Sequence, residues 1–130
     1  MASGGASVEA GDTGGAGGVV TILNDSGNIT VHNITSNGGA AGGGTAGAGG
    51  TLQLKTAVAG NTIGQQASTA LTATGATDGF LKVDSKGAVT LTNTGNNVGT
   101  VAASVADNAA AFSYTDSNAL VIGTVASAGR

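Results

Sequence analysis

The stretch TGGAGGVVTI at residues 13–22 recurs as TAGAGGTLQL at residues 45–54, 32 positions further on. In each copy a run of Gly and Ala leads into a short strand-like segment, Val19-Val20-Thr21-Ile22 or Thr51-Leu52-Gln53-Leu54. The same offset lays Phe80 on Phe112, Asp84 on Asp116 and Ser85 on Ser117, so that FLKVDSKGAVTL overlies FSYTDSNALVIG with one gap. TILNDSGNITV at residues 21–31 supplies a third strand, Asp-Ser turn, strand unit. A degenerate period of strands and turns is the pattern expected of a β-solenoid, in which successive coils stack about 4.8 Å apart.

Outward from that repeat, the apolar residues are short, β-branched and alternating, with Gly too frequent for helix. Strands are expected at 19–23, 28–34, 51–55, 69–72, 80–83, 88–92, 98–102, 111–115 and 119–125. Gly, Asn, Asp and Ser fill the gaps, residues that tolerate positive φ or hydrogen-bond their own backbone. The two Gly-rich segments, 1–18 and 36–50, read as loops that leave the same side of consecutive coils. Residues 19–130 carry the coils, and all 130 residues form one unit. A β-sandwich, suggested by the hairpin-like Asn37-Gly38, and disorder of the Gly-rich stretches are the competing readings.

Composition agrees with a narrow solenoid and excludes several functions. The 130 residues include 25 Gly, 24 Ala and 18 Thr but only three aromatic residues, with no Pro, Cys or Trp. Only 8% of residues are charged and the net charge is −3, so there is no basic footprint for nucleic acid or an anionic membrane. No apolar run approaches the roughly 18 residues that would span a bilayer. Without Cys there is neither a disulfide nor a thiolate metal site.

GGAGGVVTILNDSGNITVHNITSNGGAAGGGTAGAGGTLQL, with the later NTIGQQASTALTATGATDGFLKVDSKGAVTLTNTGNNVGTV and ALVIGTV, resembles the repeat region of filamentous-haemagglutinin-type bacterial surface proteins. The resemblance covers most of the chain. It implies a right-handed parallel β-helix, export to the cell surface, and a structural or adhesive part in a long fibre. It also implies self-association through solenoid ends or neighbouring repeats, with surface glycans or host matrix as adhesion partners. A secretion-signal domain and a membrane anchor are not recognisable in this stretch. That, with Arg130 falling just after a strand, leads us to expect a segment of a longer protein.

No constellation points to catalysis, a cofactor or a metal. His32, the only histidine, lies on an alternating segment and has no G-x-S-x-G nucleophile elbow to serve. Gly42-Gly43-Gly44-Thr45-Ala46-Gly47 fits G-x-G-x-x-G by Gly density alone, without the strand and helix a dinucleotide site needs. Gly14-Gly15-Ala16-Gly17-Gly18 lacks the Asp of a calcium-binding solenoid repeat. Asp25, Asp84 and Asp116 read as turn residues, with Asp84 and Asp116 stacked at one corner if the 32-residue period is a coil.

Asp84, Lys82 and Lys86 form the one local cluster a carbohydrate-active enzyme on this scaffold would need. Thr90, Thr92 and Thr94, with Thr72 and Thr74, are too few for an ice-binding ladder, because equivalent positions carry Lys82, Gln53 or Tyr114. The sequons at Asn24, Asn28 and Asn33 are matched by chance in so Asn- and Thr-rich a chain. The Gly-rich loops and Tyr114 are the contact candidates by accessibility.

Overall fold

A computed structural model of the chain describes residues 1–124. Within them it is all-β and without helices, with eleven short strands: β1 (Val19–Asn24), β2 (Ile29–Val31), β3 (Ile34–Thr35), β4 (Thr51–Thr56), β5 (Ile63–Gln65), β6 (Leu71–Thr72), β7 (Phe80–Ser85), β8 (Val89–Leu91), β9 (Thr100–Val105), β10 (Phe112–Tyr114) and β11 (Val121–Ile122). Every strand pair is parallel. One sheet runs β1-β4-β7-β9-β11, a second β2-β5-β8-β10, and a third pairs β3 with β6. Residues 125–130, the last part of the expected coil region and the end of the strand expected at 119–125, lie outside the described residues.

The chain thus visits the sheets in a recurring order, and each visit places a new layer beside the last. In the first sheet the inward positions form two columns. Val20, Leu52, Leu81, Val101 and Ile122 make one; Ile22, Leu54, Val83 and Ala103 make the other. The middle members are fully buried and the terminal ones are not: Leu81 is 0% exposed whereas Ile122 is 75% exposed. Alternation explains this, because every second side chain points away from the inward columns. Ile29, Ile63, Val89 and Phe112 form the matching column of the second sheet, and Ile34 with Leu71 opens a column of the third. Together these residues make one apolar cluster.

The layers are not of equal length, and this corrects the 32-residue period. Val19 opposes Thr51, 32 residues on, as the repeated TGGAGG motif predicts. Thr51 then opposes Phe80, Phe80 opposes Thr100, and Thr100 opposes Val121, so the later layers are shorter. Phe80 and Phe112 accordingly lie on different sheets, and the alignment of FLKVDSKGAVTL with FSYTDSNALVIG is not structural. Asp84 and Asp116 do not stack. Asp84 is a strand residue between Lys55 and Ser104, while Asp116 follows β10.

Two further differences have local causes. The segment expected as one strand at 28–34 breaks at His32 and Asn33, where the chain turns from the second sheet to the third. Strand β5 was not anticipated, because Gly64 and Gln65 leave only Ile63 as an apolar signal.

Candidate interaction surface: glycine tongues and corner amides

The two Gly-rich segments are ordered, and their order comes from backbone alone. Residues 2–18, 36–50 and 73–79 each leave the third sheet and return, forming three stacked tongues. In the first, Gly14 and Gly17 donate to the carbonyls of Thr45 and Ala48 in the next tongue, at 3.0 and 2.8 Å. Gly15 and Gly18 donate instead to Gly5 and Ala2 on the opposite side of their own tongue. Gly4 and Ser7 donate to Asn37 and Ala40, and Gly47 and Gly50 to Gly39 and Ser36.

Each pair of donors is three residues apart. In a strand, alternate N–H groups point to opposite edges; here the direction repeats every third residue, the repeat of a polyproline II-type thread. Neighbouring threads run antiparallel within a tongue and parallel from one tongue to the next. This accounts for the glycines. A Cβ on Gly47 would sit 2.0 Å from the carbonyl oxygen of Gly15, and one on Gly50 would sit 2.0 Å from that of Gly18. Threads this close leave no room for a side chain on the facing third. The G-x-G-x-x-G match at 42–47 is part of this packing and meets no helix.

At the corners, amide side chains supply bonds where the strands stop. Asn28, Asn33 and Asn37 each accept through Oδ1 from a backbone N–H of the next layer: Thr62 at 2.9 Å, Ala70 at 2.8 Å and Thr74 at 2.9 Å. Asn24 caps its own turn, accepting from the Ser26 N–H and donating to the Asn28 carbonyl. The three sequon asparagines thus act in the turns.

Asn96 is fully buried. Thr72 bridges to Asn97, which sets Asn96 at the position of Leu71 one layer on. Its Nδ2 donates to the carbonyls of Leu91 and Thr115, and its Oδ1 accepts from the Leu71 N–H. Sequence reasoning missed it, since an Asn among Asn and Gly looks like any turn.

The charged side chains are dispersed. Lys55 Nζ lies 3.2 Å from Asp84 Oδ2 across neighbouring strands, both about one-third exposed. Lys82 shares this outer face, opposite Gln53. The expected Asp84, Lys82 and Lys86 cluster is therefore split by an ion pair to a residue outside it, and the Lys86 N–H donates to Thr56 Oγ1. His32 is exposed beyond the end of β2, and Asp25 is exposed in its turn. Among the described residues no three His, Cys, Asp or Glu side chains group as metal ligands, and no helix is long and apolar enough to cross a membrane.

Tyr114 is not the exposed contact residue expected. It opposes Leu91, its ring stacks on Phe112 at 6.5 Å, and its hydroxyl donates to Asp116 Oδ2 at 2.6 Å. Burial, and then the hydrogen bond to Asp116, hold its hydroxyl proton on well above the usual tyrosine range. Asp116 Oδ2 also accepts from the Val98 N–H.

Thr30, Gly64, Thr90 and Ser113 make one uncharged outward row on the second sheet. Gly64 and Ser113 interrupt any threonine ladder there. A groove of about 400 Å³ lies on the first sheet where β11 stops and β9 runs on; Lys82, Asp84, Ala103 and Ser104 line it.

No family model, curated protein or solved structure matches the chain.

Proposed function

We propose that the three sheets belong to a right-handed parallel β-helix, and that the chain is a structural and adhesive segment of a secreted bacterial cell-surface fibre. On this reading it acts by presenting an extended polar surface, and no residue is assigned a catalytic role. Its partners are further coils at its open ends, with surface glycans or host matrix as the adhesion targets.

The observation that carries the reading is the five-stranded parallel sheet, in which the same two columns are filled by apolar residues through successive layers. Such stacking extends by adding layers, each pairing its N–H and C=O groups with the layers on either side. The resemblance of the Gly-rich repeats to filamentous-haemagglutinin-type proteins supports export and adhesion.

The test is electron microscopy of the purified chain over a concentration series, with diffraction from aligned material and a screen of glycan and matrix coats. Elongated particles with an axial repeat near 4.8 Å that bind such a coat are expected. Compact particles without that repeat, or release of reducing ends from a polysaccharide, would overturn it.

A further inference from the structure

The three tongues shorten along the stack, from residues 2–18 to 36–50 to 73–79, and in the fourth layer only Val98 and Gly99 remain between Asn97 and β9. One end of the molecule therefore carries a full glycine tongue and the other carries none. In the outermost tongue two-thirds of the thread positions are used: Gly14 and Gly17 bond the next tongue, Gly15 and Gly18 the sister thread. The remaining third, Thr13 and Ala16 with Ser3 and Ala6 across from them, is exposed. Of the described residues these four make no hydrogen bond. The same layer holds three large apolar side chains open to solvent: Met1 at 95%, Val8 at 91% and Val19 at 52% exposure.

We infer that this outermost layer is the docking face for a second copy of the chain, which seats its own outermost layer there about a two-fold axis along the tongue. The inference rests on the self-association in the reading above and specifies which surface is used. The lattice already bonds threads in both directions, antiparallel within a tongue and parallel between tongues, so a rotated copy meets no directional conflict. The opposite end cannot be the occupant: it has no tongue to cover residues 2–18 and would bury their unpaired backbone groups without partners. Only a second outermost layer matches this one in length, and its contact is closed and self-complementary.

The axis also sets which residues meet. Gly18 faces Ala2, and Gly15 faces Gly5, within one tongue, so the rotation lays Ala16 of one copy over the Ser3 end of the other. Sedimentation equilibrium on the full chain should show a reversible dimer. Thr13→Pro with Ala16→Pro should weaken it at least tenfold, since proline keeps the thread conformation but removes two outward N–H groups. Circular dichroism and the urea midpoint check folding. Should that variant not fold, single Ser3→Cys and Ala16→Cys chains serve instead, because the protein has no cysteine of its own. Mixed together, they should form disulfide dimers faster than either does alone.

Monomers up to about 1 mM, a 4 kcal/mol limit on association, would overturn the inference. So would open-ended growth, a dimer indifferent to both prolines, or cross-linking equal in the mixture and the single variants. Fibre formation with an insensitive tongue would sink this pairing and leave the fibre reading standing. A dimer without the axial repeat would do the reverse.

Discussion

Gln65 and Asn96 form a closed amide pair: Gln65 Nε2 donates to Asn96 Oδ1 at 2.7 Å while Asn96 Nδ2 donates to Gln65 Oε1 at 3.1 Å. They come from the second sheet's side and the third's, and both occupy inward columns otherwise filled by Val31 and Leu71. The pair ties two sheets together where apolar contact would leave their separation unspecified.

Removing Asn96 strands several partners at once, including the Leu71 N–H and the Leu91 and Thr115 carbonyls. Asn96→Ala should cost about 2–4 kcal/mol in urea denaturation, at the upper end for lost buried hydrogen bonds. Asn96→Leu, closer in size, should also destabilise, because it leaves the same groups unpaired. A loss under about 0.5 kcal/mol would show that water satisfies them.

The glycine lattice makes a sharp contrast between positions. A Cβ at Gly50 meets the Gly18 carbonyl oxygen at 2.0 Å and Ser36 Oγ at 2.2 Å, whereas one at Gly5 meets nothing within 4 Å. Gly50→Ala should lower the urea midpoint by the equivalent of about 2 kcal/mol or more. Gly5→Ala should be neutral, or stabilise by up to about 1 kcal/mol by restricting the unfolded chain. Equal effects would mean the tongues are not packed as described.

The inward columns grade from filled to open along the stack. Leu81→Ala, in the middle layer, should cost about 2–5 kcal/mol. Ile122→Ala, three-quarters exposed at the end of the same column, should cost under about 1 kcal/mol unless further layers cover it. Both are read by chemical denaturation.

Tyr114 gives the stability an alkaline limit. Its hydroxyl titrates higher in the folded chain than in the unfolded one, where it ionises near pH 10. Below that pH the contribution is fully present. Above it the unfolded chain loses the proton while the folded chain keeps it, so stability falls as pH rises. Tyr114→Phe should flatten the fall in Tm between about pH 9.5 and 11. An unchanged slope would assign it elsewhere.

Legibility followed the chemistry of each feature. The pairing of β1 with β4 was readable because TGGAGG and TAGAGG mark the same turn in two layers of equal length. It failed for Phe80 and Phe112 because the tongue that fills out the first two layers is cut away in the later ones. Apolar alternation located most strands, since it reflects burial directly, but Ile63-Gly64-Gln65 has too little of it. The thread geometry was also present, as Gly at 11, 14 and 17 and again at 44, 47 and 50, although in so Gly-rich a region a spacing of three does not stand out from the background. Asn96 was illegible because only the fold turns it inward.

The tongues also carry a calorimetric consequence. They are held by peptide groups and bury almost no hydrocarbon, whereas the columns of Leu, Val and Ile bury a great deal. Apolar exposure raises the heat capacity of unfolding and polar exposure lowers it. The tongues should therefore melt with an enthalpy from their hydrogen bonds but nearly no positive heat-capacity increment. Cooling, which weakens the apolar columns, should leave the glycine threads as the part of the molecule that holds on longest.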